Sequence, residues 1–154
     1  MSLDLAFFER LTNISAKVIC DSISDAGVRL TTFEIEYPRF IHSEVMTHRS
    51  LSKNSSSSRA IPIQKMLDQI EDNMAIPIYW GKNKSGMQAV EEVDDLSKKN
   101  AEIMWKGCFW KAKDTASWLS DDGLHKQVPN RLTEPFQMMK VVITGTDFDN
   151  FFNL

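Results

Sequence analysis

The residues best suited to chemistry stand together in one run, Thr47-His48-Arg49-Ser50-Leu51-Ser52-Lys53-Asn54-Ser55-Ser56-Ser57-Ser58-Arg59. Six of the nine residues at 50–58 are serine, a composition often met in flexible linkers. The charge pattern argues otherwise. Residues 39–59 carry Arg39, Arg49, Lys53 and Arg59 against one acid, Glu44, a local charge of +3 in a chain whose total is −3. The run is also too short for an interdomain tether, and helical texture flanks it on both sides. Its hydroxyls alternate with guanidinium, imidazole and carboxamide groups, which together suit a small phosphorylated ligand. Hydroxyls and backbone N–H groups satisfy phosphate oxygens, and arginine adds bidentate, charge-assisted bonds. Composition alone leaves a phosphate-holding segment and a plain polar loop both standing.

Other chemistries find less support. No base stands beside Ser57 in sequence to activate it as a nucleophile. Cys20 and Cys108 form neither a C-x-x-C pair nor part of a Cys/His cluster, so they are expected to be buried thiols acting as small hydrophobes. His42, His48 and His125 show no i, i+4 pairing, and no structural metal is expected.

The elements that must position the run follow from periodicity. Residues 3–11 read as a short amphipathic helix with Phe7, Phe8 and Leu11 on one side. Alternation over 16–22 and again over 28–36, around the turn Ser24-Asp25-Ala26-Gly27, predicts an antiparallel hairpin. A phase shift between Leu30 and Phe33 points to a bulge. Pro38 opens a helix in which Ile41, Val45 and His48 fall at i, i+4 and i+7. Residues 61–70 are helical. The longest helix is expected over 95–119, with Ala101, Trp105, Cys108, Phe109, Ala112, Ala116 and Leu119 as its core stripe. Asp121-Asp122-Gly123 ends it. Residues 138–144 read as a strand and 147–154 as the start of a helix. The apolar face of Phe148, Phe151, Phe152 and Leu154 has no C-cap, so it is expected either to meet a partner or to continue into a longer chain.

The 154 residues allow one domain with a modest core. A net charge of −3 and a pI near 5.6 exclude a bulk polyanion binder. A single-stranded nucleic-acid module built on the +3 run and nearby aromatics is disfavoured by the acidity of the rest. No apolar run is long enough to span a bilayer, and the first ten residues lack the basic region of a signal peptide. No membrane and no nucleic-acid partner are expected, and a cytoplasmic location follows.

The run resembles the signature of the flavin-dependent thymidylate synthases, R-H-R-x-x-S-x-N-x-x-S-x-R. His48, Arg49, Ser52, Asn54, Ser57 and Arg59 meet six of its seven fixed positions, and Thr47 replaces the first arginine. The resemblance extends to Phe33-Glu34-Ile35-Glu36 with residues 38–46. It also takes in the loop 81–88 of some phage-type members, residues 123–131 followed by Pro135, and residues 150–154. It implies an α+β fold, an antiparallel β-sheet flanked by long helices, in a single domain over 1–154. It implies a homo-oligomer, a tetramer in preference to a dimer, with sites shared between subunits. The implied activity is methylation of dUMP to dTMP, with FAD as cofactor and methylenetetrahydrofolate and NADPH as co-substrates.

Carried over by position, His48 and Arg49 face the flavin, Asn54 holds the loop and Asn150 contacts the flavin ring. Ser55, Ser56, Ser57, Ser58 and Arg59 cradle dUMP, and Arg131 binds it from a neighbouring subunit. Glu44 stands where relatives carry a substrate-touching Gln. Ser57, the position once proposed as a nucleophile, is read as a ligand to phosphate or base within the catalytic group. Three departures stand out: Thr47, Thr144-Gly145-Thr146 where many members have Asn-x-Arg, and an arginine that would follow Leu154. The C-terminal helical part of the family is therefore expected to be missing. Each lost guanidinium–phosphate contact weakens binding by about 1–3 kcal/mol. A non-catalytic nucleotide-binding or assembly subunit of the same fold is the competing expectation.

Overall fold

Alternating apolar and polar side chains build the first two strands, β1 (Ser15–Ile23) and β2 (Arg29–Pro38). The computed structural model describes residues 14–148. Between the strands Gly27 takes φ +77°, a left-handed conformation that favours glycine. The Gly27 N–H donates to the Ser24 carbonyl at 2.9 Å and closes the turn. Val18 pairs with Phe33 and Cys20 with Thr32. The expected bulge is thus present, but its extra residue is Ile19, across the ladder from the phase shift that announces it.

β3 (Ser52–Ser55) and β4 (Met138–Gly145) complete a four-stranded antiparallel sheet in the order β1-β2-β4-β3. In β4, Met139, Val141 and Ile143 are buried while Lys140 is exposed, the period-2 pattern of a strand with one covered face. That face packs with Tyr37 and Leu51, and with half-buried Ile35, Val45 and Phe148.

The second core belongs to the helices. Met66, Leu67 and Ile70 of α2 (Ile63–Asp72; α1 is described below) meet Phe109 of α3 (Asp95–Asp121) and Phe136. Asp94 caps α3 by accepting from Ser97 N–H at 2.9 Å. Gly123 at φ +91° follows its end. The Trp105 indole N–H donates to the Ala75 carbonyl at 2.9 Å. A four-residue helix, α4 (Pro129–Leu132), and a 3-10 turn, Glu134–Phe136, lead into β4.

The mixed α/β architecture and antiparallel sheet agree with the expectation, although only α3 is long. Three details differ. Both cysteines are exposed rather than buried: Cys20 lies on the edge strand, and Cys108 lies at the margin of the side of α3 that buries Phe109. The helix from Pro38 is a 3-10 turn, Arg39–Ile41, followed by the five-residue α1 (His42–Met46), so His48 lies beyond it. Within the serine-rich run, Ser52–Ser55 is a strand. The helix expected over 3–11 lies outside the described residues, as do 149–154. Among the described residues, no helix is long and apolar enough to cross a membrane.

Candidate functional site

Leu51 is the buried apolar residue of an otherwise polar run, and it sets the run's position. It packs with Tyr37, Met139, Val141 and Ile143. A Cβ on Gly145 would stand 2.6 Å from Leu51 Cδ2, so glycine at 145 makes room for this anchor. The four residues after Leu51 then satisfy the open edge of β4, with Ser52 opposite Thr144 and Ser55 opposite Val141. The Ser56 N–H donates to the Lys140 carbonyl at 3.2 Å and continues the ladder.

Two of the four cations at 39–59 are engaged by the fold. The Lys53 ammonium donates to the His48 carbonyl, and to the Leu51 carbonyl at 3.2 Å, so it holds the turn that precedes β3. Arg39 pairs with Glu134 at 3.0 Å. Arg49 and Arg59 are exposed. Thr47, in place of the signature's first arginine, donates its hydroxyl to the Glu44 carbonyl at 2.6 Å. Glu44 is exposed on α1, and a hydrogen bond from the Ser43 hydroxyl, 2.8 Å away, holds its carboxyl below the usual range. His48 is half-buried, its N–H on the Val45 carbonyl at 3.4 Å. Asn54, Ser55, Ser56 and Ser57 are exposed.

Past Ser57 the chain makes a 3-10 turn, Ser58–Ala60, that directs Arg59 outward. Asn130, wholly buried, donates from Nδ2 to the carbonyls of Ser58 at 2.7 Å and Ile61 at 2.9 Å. Lys126 donates to the Ala60 carbonyl at 2.9 Å. The structure therefore brings the end of the run and the Arg131 segment together. Arg131 itself is exposed, 3.9 Å from the Glu134 carboxylate that also takes Arg39. Asn150 lies outside the described residues.

A cleft of about 350 Å³ opens between the sheet and α2, lined among others by Glu36, Arg39, Ser56, Ser58, Asn73 and Lys140. Asn73 donates to Glu36 Oε1 at 3.4 Å, while its own Oδ1 is buried with no donor among the described residues. A shallower recess on the sheet holds Glu34, Asn54, Ser55, Ser56 and Lys140. The arrangement offers hydroxyls, carboxamides and exposed guanidinium groups on a rigid edge, which is chemistry for binding and orienting an anionic, hydrogen-bonding ligand.

Sequence reasoning missed Asn130 as the support of the Arg59 turn, since its partners lie some seventy residues away. It also missed the pair Tyr37 and His42, in which the hydroxyl and Nδ1 lie 2.8 Å apart. Burial, then the nearby Arg39 charge, lowers the His42 pKa, and burial raises that of Tyr37. Their spacing across Pro38 matches no periodic signal.

Neither a protein-family model nor a curated protein matches this chain. Solved structures do. The chain is similar to the UMP/dUMP methylase PolB from Streptomyces cacaoi bound with 5-Br UMP, at 13% identity and a TM-score of 0.67, over 88% of this chain and 72% of that one. The structure bound with 5-Br dUMP gives 13% identity and a TM-score of 0.62, over 87% and 74%. At this identity the likeness establishes the fold.

Proposed function

We propose that this chain methylates a uridine nucleotide, converting dUMP to dTMP in the manner of the flavin-dependent thymidylate synthases. One observation carries the reading. A run meeting six of seven signature positions lies on the edge of a sheet whose fold is shared with a UMP/dUMP methylase. Arg59 and the hydroxyls of Ser55, Ser56, Ser57 and Ser58 bind the phosphate, with Arg131 contributed by another copy of the chain in a homotetramer. Glu44 touches the base. Ser57, exposed and extended, acts as a ligand.

The donor set also suits a dinucleotide cofactor: Arg49 and Asn54 are exposed and His48 is half-buried in the turn between them. His48, Arg49, Asn54 and Asn150 would hold FAD. When bound, FAD supplies a hydride, drawn from NADPH, to complete transfer of the methylene from methylenetetrahydrofolate. The protein's part is orientation and electrostatics: guanidinium groups would fix the phosphate, and His48 and Arg49 would hold the flavin in place beside the nucleotide.

A second reading, a non-catalytic nucleotide-binding or assembly subunit, is favoured by the cations the run lacks or has engaged. Thr47 is tied to the Glu44 carbonyl and Lys53 to backbone. Incubating the protein with dUMP, FAD, NADPH and methylenetetrahydrofolate separates the two. The proposal expects dTMP and a bound-flavin absorption band in the blue. Colourless protein that takes up no FAD and forms no dTMP would decide for the second reading.

A further inference from the structure

Two guanidinium groups converge on one carboxylate oxygen just before β4. Glu134 opens the 3-10 turn Glu134–Phe136. Its Oε1 lies 3.0 Å from Arg39 Nη2 and 3.9 Å from Arg131 Nη1. The two pairings are unequal. The Arg39 contact is a hydrogen bond, whereas the Arg131 contact is too long to be one. The Arg39 and Glu134 side chains are 23% and 28% exposed, and that of Arg131 is 63% exposed.

The fold favours Arg39 at this carboxylate. Pro38 ends β2, and the 3-10 turn that follows brings the Arg39 N–H to the Gln137 carbonyl at 2.8 Å. That bond ties Arg39 to the residue after the Glu134 turn, so its side chain runs back along the same segment. Phe136, buried in the second core, holds the turn from within. Arg131 reaches the carboxylate from the preceding helix, at i, i+3. A mostly buried carboxylate needs a cation to offset its lost hydration, and Arg39 supplies it. Arg39 also lines the cleft that reaches Ser56 and Ser58, so the three charges stand beside the end of the serine run.

We propose, resting on the reading of Arg131 as a phosphate ligand, that Arg39 is a positioning residue for the nucleotide: by occupying Glu134 it keeps Arg131 free to take the phosphate. The three groups lie within one chain, so the effect is the same whichever copy's nucleotide Arg131 meets. Without Arg39, the carboxylate turns to the guanidinium that remains and competes with the phosphate for it.

Calorimetric titration of dUMP into the full chain and its variants tests this. Arg39→Gln should weaken dUMP binding about two- to fivefold, the range set by a part-exposed ion pair. Arg39→Lys, which keeps the charge, should bind as the wild type does. Adding Glu134→Gln to Arg39→Gln should restore the wild-type affinity, because no carboxylate is left to capture Arg131. A purely structural pair would move only the melting temperature, and an Arg39 that itself touched the nucleotide would not be rescued; either result overturns the proposal. If Arg39→Gln fails to fold, the uncharged double variant decides, since weakened binding there overturns it. Phenylglyoxal modification, followed at Arg131 by mass spectrometry, needs no nucleotide. The reaction should slow by a similar factor in Arg39→Gln and recover in the double variant, and equal rates in wild type and Arg39→Gln overturn the proposal. A wild type that takes up no dUMP yet shows these rates overturns the nucleotide reading and supports the exchange of partners at Glu134.

Discussion

Asn130 directs its amide N–H groups at two carbonyls, Ser58 and Ile61, from a fully buried position. Truncation to alanine removes the side-chain donor from the Ile61 carbonyl and leaves the Ser58 carbonyl with the Ile61 N–H alone, at 3.3 Å. At about 1–3 kcal/mol for each unsatisfied buried group, Asn130→Ala should destabilise by about 2–4 kcal/mol. Calorimetry should show this as a drop in melting temperature of about 5–15 °C. Because the same bonds hold the turn that carries Arg59, nucleotide affinity should fall with it, and an unchanged melting temperature would refute the supporting role. His42 offers a test by pH. Burial and then Arg39 lower its pKa in the folded chain, so the unfolded state takes up the proton first. The stability this contributes is present above the ordinary histidine value of 6.5 and is lost as pH falls through the lowered folded value. A ring titration followed by nuclear magnetic resonance should find the His42 midpoint below 6.5, and a midpoint above it would contradict the burial argument.

At the scale of elements, β3 exists because β4 has an edge to fill and Leu51 delivers the chain to it. Ser, Lys and Asn have weak strand preference, so period and composition mark residues 52–55 as loop. The context that overrides them comes from Val141, Val142, Ile143 and Thr144, some ninety residues away. Leu51→Ala should cost about 2–5 kcal/mol and release the edge first. Hydrogen exchange should then show the β3 ladder amides losing protection before those between β2 and β4, whereas uniform loss would show that Leu51 supports the whole sheet and not this edge. The β1–β2 hairpin has its own sensor. Hydrogen bonds from Arg29, 2.9 Å and 3.1 Å from Nε, and from Thr31 at 2.9 Å lower the Asp21 carboxyl to about 2. Its folded pKa is depressed, so the hairpin's gain is present above the ordinary value of 3.8 and disappears as pH falls through about 2. Carboxyl shifts measured across that window should place the Asp21 midpoint well below 3.8; a midpoint at 3.8 would mean that the ion pair does not persist in solution.

Across the whole molecule, what sequence periodicity specifies is what burial enforces: the hairpin, β4, α2 and α3 fall within a few residues of where alternation and 3.6-residue spacing put them. The candidate site is legible as a run of residue types, but its geometry is not. Arg39 and Lys53 count as cations in a local charge of +3, yet one pairs with Glu134 and the other with turn carbonyls. Those partners lie beyond any local pattern, as does the link from Ser58 to Asn130. The exposed end of this run is proposed to hold a uridine nucleotide, a claim that calorimetric titration of dUMP into wild type and Arg59→Ala can decide. Arg59 is exposed, so the variant should melt with the wild type while its dUMP affinity falls about 30- to 1000-fold, the loss of one charge-assisted, bidentate contact worth about 2–4 kcal/mol. Equal dUMP affinity in the two folded proteins, or a wild type that does not bind dUMP, would contradict the claim.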